Sequence, residues 1–259
     1  MISFNIRNPF NNPFLKICLA MSGSDDLSTD VSVSRRIRSF VRREGRTTRA
    51  QQRALAEWWG QFGVEAGHSL LESERVFGRR APLVVEIGFG DGESLAAMAM
   101  AHPEFDYLAI EVHRPGIGHL LLRVAALGLT NVRVICADAV DVLERQLPDQ
   151  CLDRVQIFFP DPWPKTRHHK RRLMQAPFVT LLARKLKPAG QLQVATDCEQ
   201  YARAILDLLD HSPKLVNVAG GNGFAPRPVH RPPTKFERRG RRLGHDVWDL
   251  LFVKAEDGE

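Results

Sequence analysis

The chain has 259 residues, 44% of them hydrophobic and 25% charged, a balance ordinary for a globular protein of one large domain or two small ones. No window approaches the ~20 apolar residues that a membrane-spanning helix needs, which excludes an integral helical membrane protein. The net charge of +6 is unevenly spread: residues 35–54, 163–172 and 226–242 hold 20 of the 36 Lys and Arg residues and only two acids, Glu44 and Glu237. Such segments would make a polyanion-binding surface if they met on one face.

Residues 1–31 read as an extension without fold. Lys16 interrupts the apolar part of its first stretch, so no signal peptide is expected. Met21, followed by a polar Ser/Asp/Thr run, is a candidate true start. Residues 32–80 form a basic N-terminal arm that mixes Arg with apolar residues and contains a helix-like run closing on Trp58-Trp59. From 81 to 254 the chain alternates regularly. Leu83–Ile87 is a short apolar strand, followed by a glycine-rich turn and a helix to about Ala101. Strands over Tyr107–Val112, Val132–Cys136, Arg154–Phe159 and Gln191–Ala195 each precede a helix, the last over Glu199–Leu209. Asp246–Val253 reads as a closing strand, with Trp248 as a core residue. Strands separated by helices of ~10–15 residues indicate βαβ units, hence a parallel sheet covered on both faces. Between them a Gly/Pro-rich stretch, residues 220–233, is expected to be irregular.

Four cysteines (Cys18, Cys136, Cys151, Cys198) lie far apart with no C-x-x-C pair. This argues against a disulfide scaffold or a metal centre and fits reduced thiols in the cytoplasm.

The strongest local signal is VVEIGFGDGES, residues 84–94. A strand ends in a glycine turn that opens a helix, the place where parallel sheets bind cofactors. The spacing is G-x-G-x-G, not the G-x-G-x-x-G of dinucleotide binders, and Glu86 precedes it. Glycines at 88 and 90 let the chain turn tightly and a ligand approach. A carboxylate beside a shorter glycine turn suits S-adenosyl-L-methionine, whose amino-acid end carries a cation. The second strand ends near Glu111, placed to grip ribose hydroxyls. The third is followed by Asp138, placed to meet the adenine amine.

The fourth strand runs into FFPDPWPK, residues 158–165, where three prolines restrain the backbone around Asp161 and Trp163. This suits a loop that holds an acceptor and a flat aromatic against a base. The TRHHKRR run at 166–172 follows, with groups that would meet phosphates. Asp197, at a strand end, could bind substrate or cap the next helix. Glu237 could do the former or pair with Arg238 or Arg239.

These residues resemble bacterial tRNA (guanine-N7)-methyltransferases. The likeness covers roughly residues 35–254, in order: RSFVRREGR in the arm, EIGFGDG, CAD at 136–138, FPDPWPK-x-RH-x-KRR, ATD at 195–197 and the TKFE-x-RG…GH-x-VWDL block at 234–250. The resemblance implies a Rossmann-like class I methyltransferase fold, α/β with a mostly parallel seven-stranded sheet and helices on both faces. It implies methylation at N7 of a variable-loop guanosine in tRNA. It places S-adenosyl-L-methionine on Glu86, Gly88, Gly90, Glu111, Asp138 and Asp161, with Asp161 catalytic. Lys165, Asp197, Thr234, Lys235, Phe236 and Glu237 would bind the substrate nucleoside, and Arg167, His168, His169, Lys170, Arg171 and Arg172 the RNA. No metal and no membrane are implied, and the protein could be a monomer or a homodimer. Methylation of another RNA, and tRNA binding without catalysis on the same scaffold, are the alternatives.

Overall fold

The computed structural model describes residues 38–40, 46–242 and 244–256, all within the unit Ile37–Glu259. The expectations for residues 1–31, for Met21 as start, and for 32–37 and 41–45 of the arm lie outside the described residues.

A capping box starts the first helix, α1 (Arg49–Phe62): the Thr48 hydroxyl accepts from the Gln51 amide and Gln51 Oε1 accepts from the Thr48 amide. The two-residue strand β1 (Gly63–Val64) and the short helix α2 (Ser73–Phe77) follow. Both are too short to leave a hydrophobic period in the sequence. Then come β2 (Leu83–Ile87), α3 (Glu93–Ala101), β3 (Asp106–Glu111), α4 (Arg114–Ala126), β4 (Val132–Cys136), α5 (Ala139–Arg145) and β5 (Leu152–Phe158). A 3-10 turn over Thr166–Arg171 precedes α6 (Ala176–Lys185), β6 (Leu186–Thr196), α7 (Glu199–Asp210) and β7 (Leu215–Asn217). The chain closes with α8 (Lys235–Arg242) and β8 (Trp248–Lys254).

The strands form one sheet in the order β1-β4-β3-β2-β5-β6-β8-β7. β8 runs antiparallel to both β6 and β7, while the other pairs are parallel. There are eight strands where the resemblance implied seven, because β1 adds two residues to the open edge of β4. β2 is buried at all five positions, as a strand covered on both faces must be. Alternation divides its side chains between two apolar layers. Val85 and Ile87 join residues of α5, α6 and α7; Val84 joins residues of α1, α3 and α4. Trp248, the first residue of β8, is half-buried and not a core residue; on the same face of the strand it is Leu250 and Phe252 that are buried.

Chain order runs outward from β2 through β3 to β4, then returns to the other side at β5. The crevice beyond the carboxyl ends of β2 and β5 is therefore the topological switch point, where open α/β sheets hold ligands.

Candidate active site

β2 delivers the chain into a turn in which Gly88, Gly90 and Gly92 all have φ between 63° and 74°. Only glycine takes this left-handed conformation without strain. The turn also lies tight against α4: a Cβ on Gly116 would fall 2.0 Å from the Gly90 carbonyl oxygen. Glu111, at the end of β3, holds the turn from the other side. Its Oε2 accepts from the Gly90 amide at 3.3 Å, and its Oε1 accepts from the Val112 and His113 amides. Asp138 Oδ1 accepts from the Val140 amide and caps α5.

Glu86 differs from both. It is buried, and its Oε2 has no hydrogen-bond partner among the described residues. Burial, reinforced by the Glu111 charge, pushes its pKa from 4.5 up to about 8. Its neighbour in register on β5 is Gln156, whose Oε1 is likewise unpartnered.

These groups share one cavity of about 370 Å³. Glu86, Gly88, Gly90, Glu111, Asp138 and Asp161 line it, and so do Thr234 and Phe236 on its outer side. Ser39 and Phe40 from the basic arm close one wall; the sequence reading gave them no role. Lys165, Asp197 and Glu237 do not line it.

The loop beyond β5 is stiff. Phe159 and Trp163 take φ of 53° and 44° between the prolines, a conformation costly for side chains of this size. Trp163 Nε1 donates to the Ser39 carbonyl at 3.2 Å, tying the second basic segment to the first. The Arg171 guanidinium lies 5.3 Å from the Trp163 ring centroid, with His168 edge-on at 5.9 Å. Lys165, Arg167 and Lys170 are exposed. Partial burial, then the surrounding Arg and Lys charges, lower the His168 pKa. His169 is half-buried, its Nε2 without a hydrogen-bond partner among the described residues.

Three expectations change. Arg172 is not presented to solvent: it is 7% exposed, donates to the Pro162 carbonyl and Gln200 Oε1, and stacks over Tyr201 at 4.7 Å. It fastens the loop to α7. Asp197 does not cap α7, whose N-cap is Cys198; its Oδ2 lies 3.9 Å from His245 Nδ1. Glu237 is fully buried, and its partners are Arg231, Arg227 and Arg241, not Arg238 or Arg239. Arg238 instead reaches Glu93 Oε2 at 2.5 Å and joins α8 to the start of α3. Of Lys235 only the backbone, in the first turn of α8, is described.

A sheet reversed at its middle, with a glycine turn and acids on successive strand ends facing one crevice, is the frame of the Rossmann-like class I methyltransferases. The chain belongs to the family Methyltransf_4, described as "Putative methyltransferase", which it matches over residues 80–250. It is 58% identical over 225 residues to the tRNA (guanine-N(7)-)-methyltransferase of Alkalilimnicola ehrlichii, covering 86% of this chain and 94% of that one. To the enzymes of the same name from Alcanivorax borkumensis and Escherichia coli it is 54% and 50% identical over 222 residues, covering 86% of this chain and 93% of each. Among solved structures it is similar to the 16S rRNA methyltransferase KamB at 15% identity and a TM-score of 0.48, covering 72% of this chain and 95% of that one. Among the described residues no helix is long and apolar enough to cross a membrane.

Proposed function

We propose that this chain is a tRNA (guanine-N7)-methyltransferase that takes its methyl group from S-adenosyl-L-methionine and acts on a variable-loop guanosine. The observation that carries the reading is identity of 50% and more to enzymes of that name across 86% of the chain.

The residues of the cavity fit the cofactor. Glu86 presents a buried oxygen with no partner among the described residues, as a site for a cationic amino group requires. Glu111 and Asp138 accept from backbone amides, and a carboxylate oxygen can accept more than one hydrogen bond. Glu86 would therefore hold the ammonium end, Glu111 the ribose hydroxyls and Asp138 the adenine amine, with Gly88 and Gly90 leaving room for the ligand. When bound, the cofactor supplies an electrophilic methyl group on a sulfonium.

Guanine N7 keeps an in-plane lone pair, so no proton has to be removed before attack. The purine gains positive charge as the methyl arrives. Asp161, at the cavity, offsets that charge and accepts from guanine N1–H and the exocyclic amine. The remaining work is alignment of N7 with the methyl group, an effect that can supply ~7–11 kcal/mol. Lys165, Asp197 and the Thr234–Glu237 segment act on the nucleoside side. Arg167, His168, His169, Lys170 and Arg171 lie along the phosphates, and Trp163 offers a flat face to a base. A cytoplasmic location follows from that substrate.

The test is incubation of the purified protein with methyl-labelled S-adenosyl-L-methionine and an unmodified tRNA transcript, followed by nucleoside mapping. Label in 7-methylguanosine at the variable loop is the expected result. Label on another atom or base overturns the assigned substrate. Cofactor binding without transfer overturns catalysis.

A further inference from the structure

Arg231 sits in a Pro-rich basic segment, yet its side chain has no solvent exposure. Its Nε and Nη2 donate to Asp249 Oδ1 and Oδ2, both at 2.8 Å, and its Nη1 donates to Glu237 Oε2 at 2.6 Å. The guanidinium lies 5.6 Å and 6.0 Å from the ring centroids of Phe158 and Phe159, which lead into Pro160-Asp161. One cation thus touches β8, α8 and the root of the Asp161 loop. A forked donor set satisfied on two carboxylates is the geometry in which a buried charge is tolerated.

The surroundings explain why α8 needs it. The helix reads KFERRGRR, with Phe236 as its single apolar residue. Phe236 faces the cavity and is 56% exposed, so an apolar stripe cannot hold this helix on the body. Glu237 is its buried charged side chain, and the second oxygen of that carboxylate takes Arg227 at 3.2 Å and Arg241 at 2.8 Å. Burial alone would raise the Glu237 pKa, but Arg231 and the other arginines outweigh it and hold it below the ordinary range. The Glu237 amide donates to Thr234 Oγ1 at 3.1 Å, so the same residue fixes Thr234 at the helix start.

We propose that Arg231 is a positioning residue: by clamping Glu237 to Asp249 it sets Thr234 and Phe236 at the cavity mouth. Glu237 then serves the substrate through Arg231 and does not touch it. The inference rests on the proposed methyl transfer to tRNA and names how its nucleoside side is held.

The experiment compares full-length wild type, Arg231→Lys, Glu237→Gln and the double variant. Lysine keeps the charge but not the fork. In Arg231→Lys, kcat on tRNA should fall about tenfold or more, while KM for tRNA and Kd for S-adenosyl-L-methionine stay within about threefold. A lysine keeps a cation beside Phe158 and Phe159, while the hydrogen bonds it loses go to Asp249 and Glu237. The double variant should be no slower than the worse single one, because both break the same clamp. Losses that multiply would mean that Glu237 contacts the substrate itself, and wild-type kcat in Arg231→Lys would mean that the clamp positions nothing; either overturns the proposal. Hydrogen exchange of the free protein supplies an independent readout. Exchange should accelerate over 234–242 in Arg231→Lys and stay unchanged over 83–145; unchanged exchange over 234–242 overturns the clamp. If wild type does not methylate tRNA, the proposed activity falls and exchange alone decides the clamp. If Arg231→Lys does not fold, Asp249→Asn carries the same comparisons.

Discussion

The wall of the cavity built by β2, β3 and β4 and the wall built by residues 158–172 and 231–242 differ in what holds them. The first places Glu86, Glu111 and Asp138 on strand ends rooted in two apolar layers, where Val84, Val85, Ala109 and Val134 are fully buried. The second has few apolar residues. Arg172 fastens it to a carbonyl, a glutamine and a tyrosine ring, Arg238 to Glu93, and Arg231 to Asp249 and Glu237. A surface that must meet a polyanion needs arginines, and arginines that also hold the backbone leave fewer hydrophobic side chains exposed to solvent. The cofactor wall is set by packing and the substrate wall by charge pairing, so the two should fail differently.

The largest expected effect separates them at one residue. Asp161→Ala should remove measurable turnover while Kd for S-adenosyl-L-methionine, read by calorimetry, changes little. An alanine enzyme of near-wild-type rate would disprove the role given to Asp161.

Next is the pH dependence of the cofactor wall. Glu86 has its pKa raised from 4.5 to about 8 by burial and then by Glu111. Below 4.5 the folded and unfolded chains both keep the proton. Between 4.5 and about 8 the unfolded chain has lost it and the folded chain retains it, so stability falls as pH rises through that window. The full effect is on the order of 5 kcal/mol. Glu86→Gln should flatten the profile of Tm against pH in cofactor-free protein and stabilise it at pH 8. An unaltered profile would show that Glu86 is ionised in the fold.

A smaller effect tests packing directly. Gly116→Ala puts a Cβ 2.0 Å from the Gly90 oxygen, against backbone that cannot step aside, and should cost about 1–3 kcal/mol. Cofactor affinity should fall with it, whereas tRNA binding without cofactor should not. Equal loss of both would erase the distinction between the walls. The smallest effect belongs to a single exposed cation. Arg167→Ala should weaken tRNA binding modestly and reduce the slope of log K against log salt by about one. A slope unchanged by this substitution would remove Arg167 from the phosphate path.

The cofactor wall was largely legible in the sequence, since period-2 apolar runs and glycine spacing are local signals. The core strands fall within two residues of their expected ends, apart from β6, which starts five residues early at Leu186. The substrate wall was not, because its links join residues far apart in the chain. Nothing adjacent to Arg231 marks it as buried; its partner Asp249 is 18 residues away. One signal did exist: Asp249 falls within the apolar run WDLLFVK, and an inward acid on a core strand demands a cation. Arg172 carried no such mark among its basic neighbours.

The sheet order β6-β8-β7 has a temporal side. β7 is synthesised before β8, yet its sheet partner is β8, so it has no ladder to join until residues 248–254 have emerged. Until then β6 presents a free edge, the kind of surface that invites pairing between chains. Asp249 arrives on that same last strand, so the clamp on α8 closes when the sheet does. The helices that pack under the cofactor wall are all synthesised once Asp210 has been added, about forty residues before the substrate wall can close, at ribosomal rates an interval of roughly two to ten seconds.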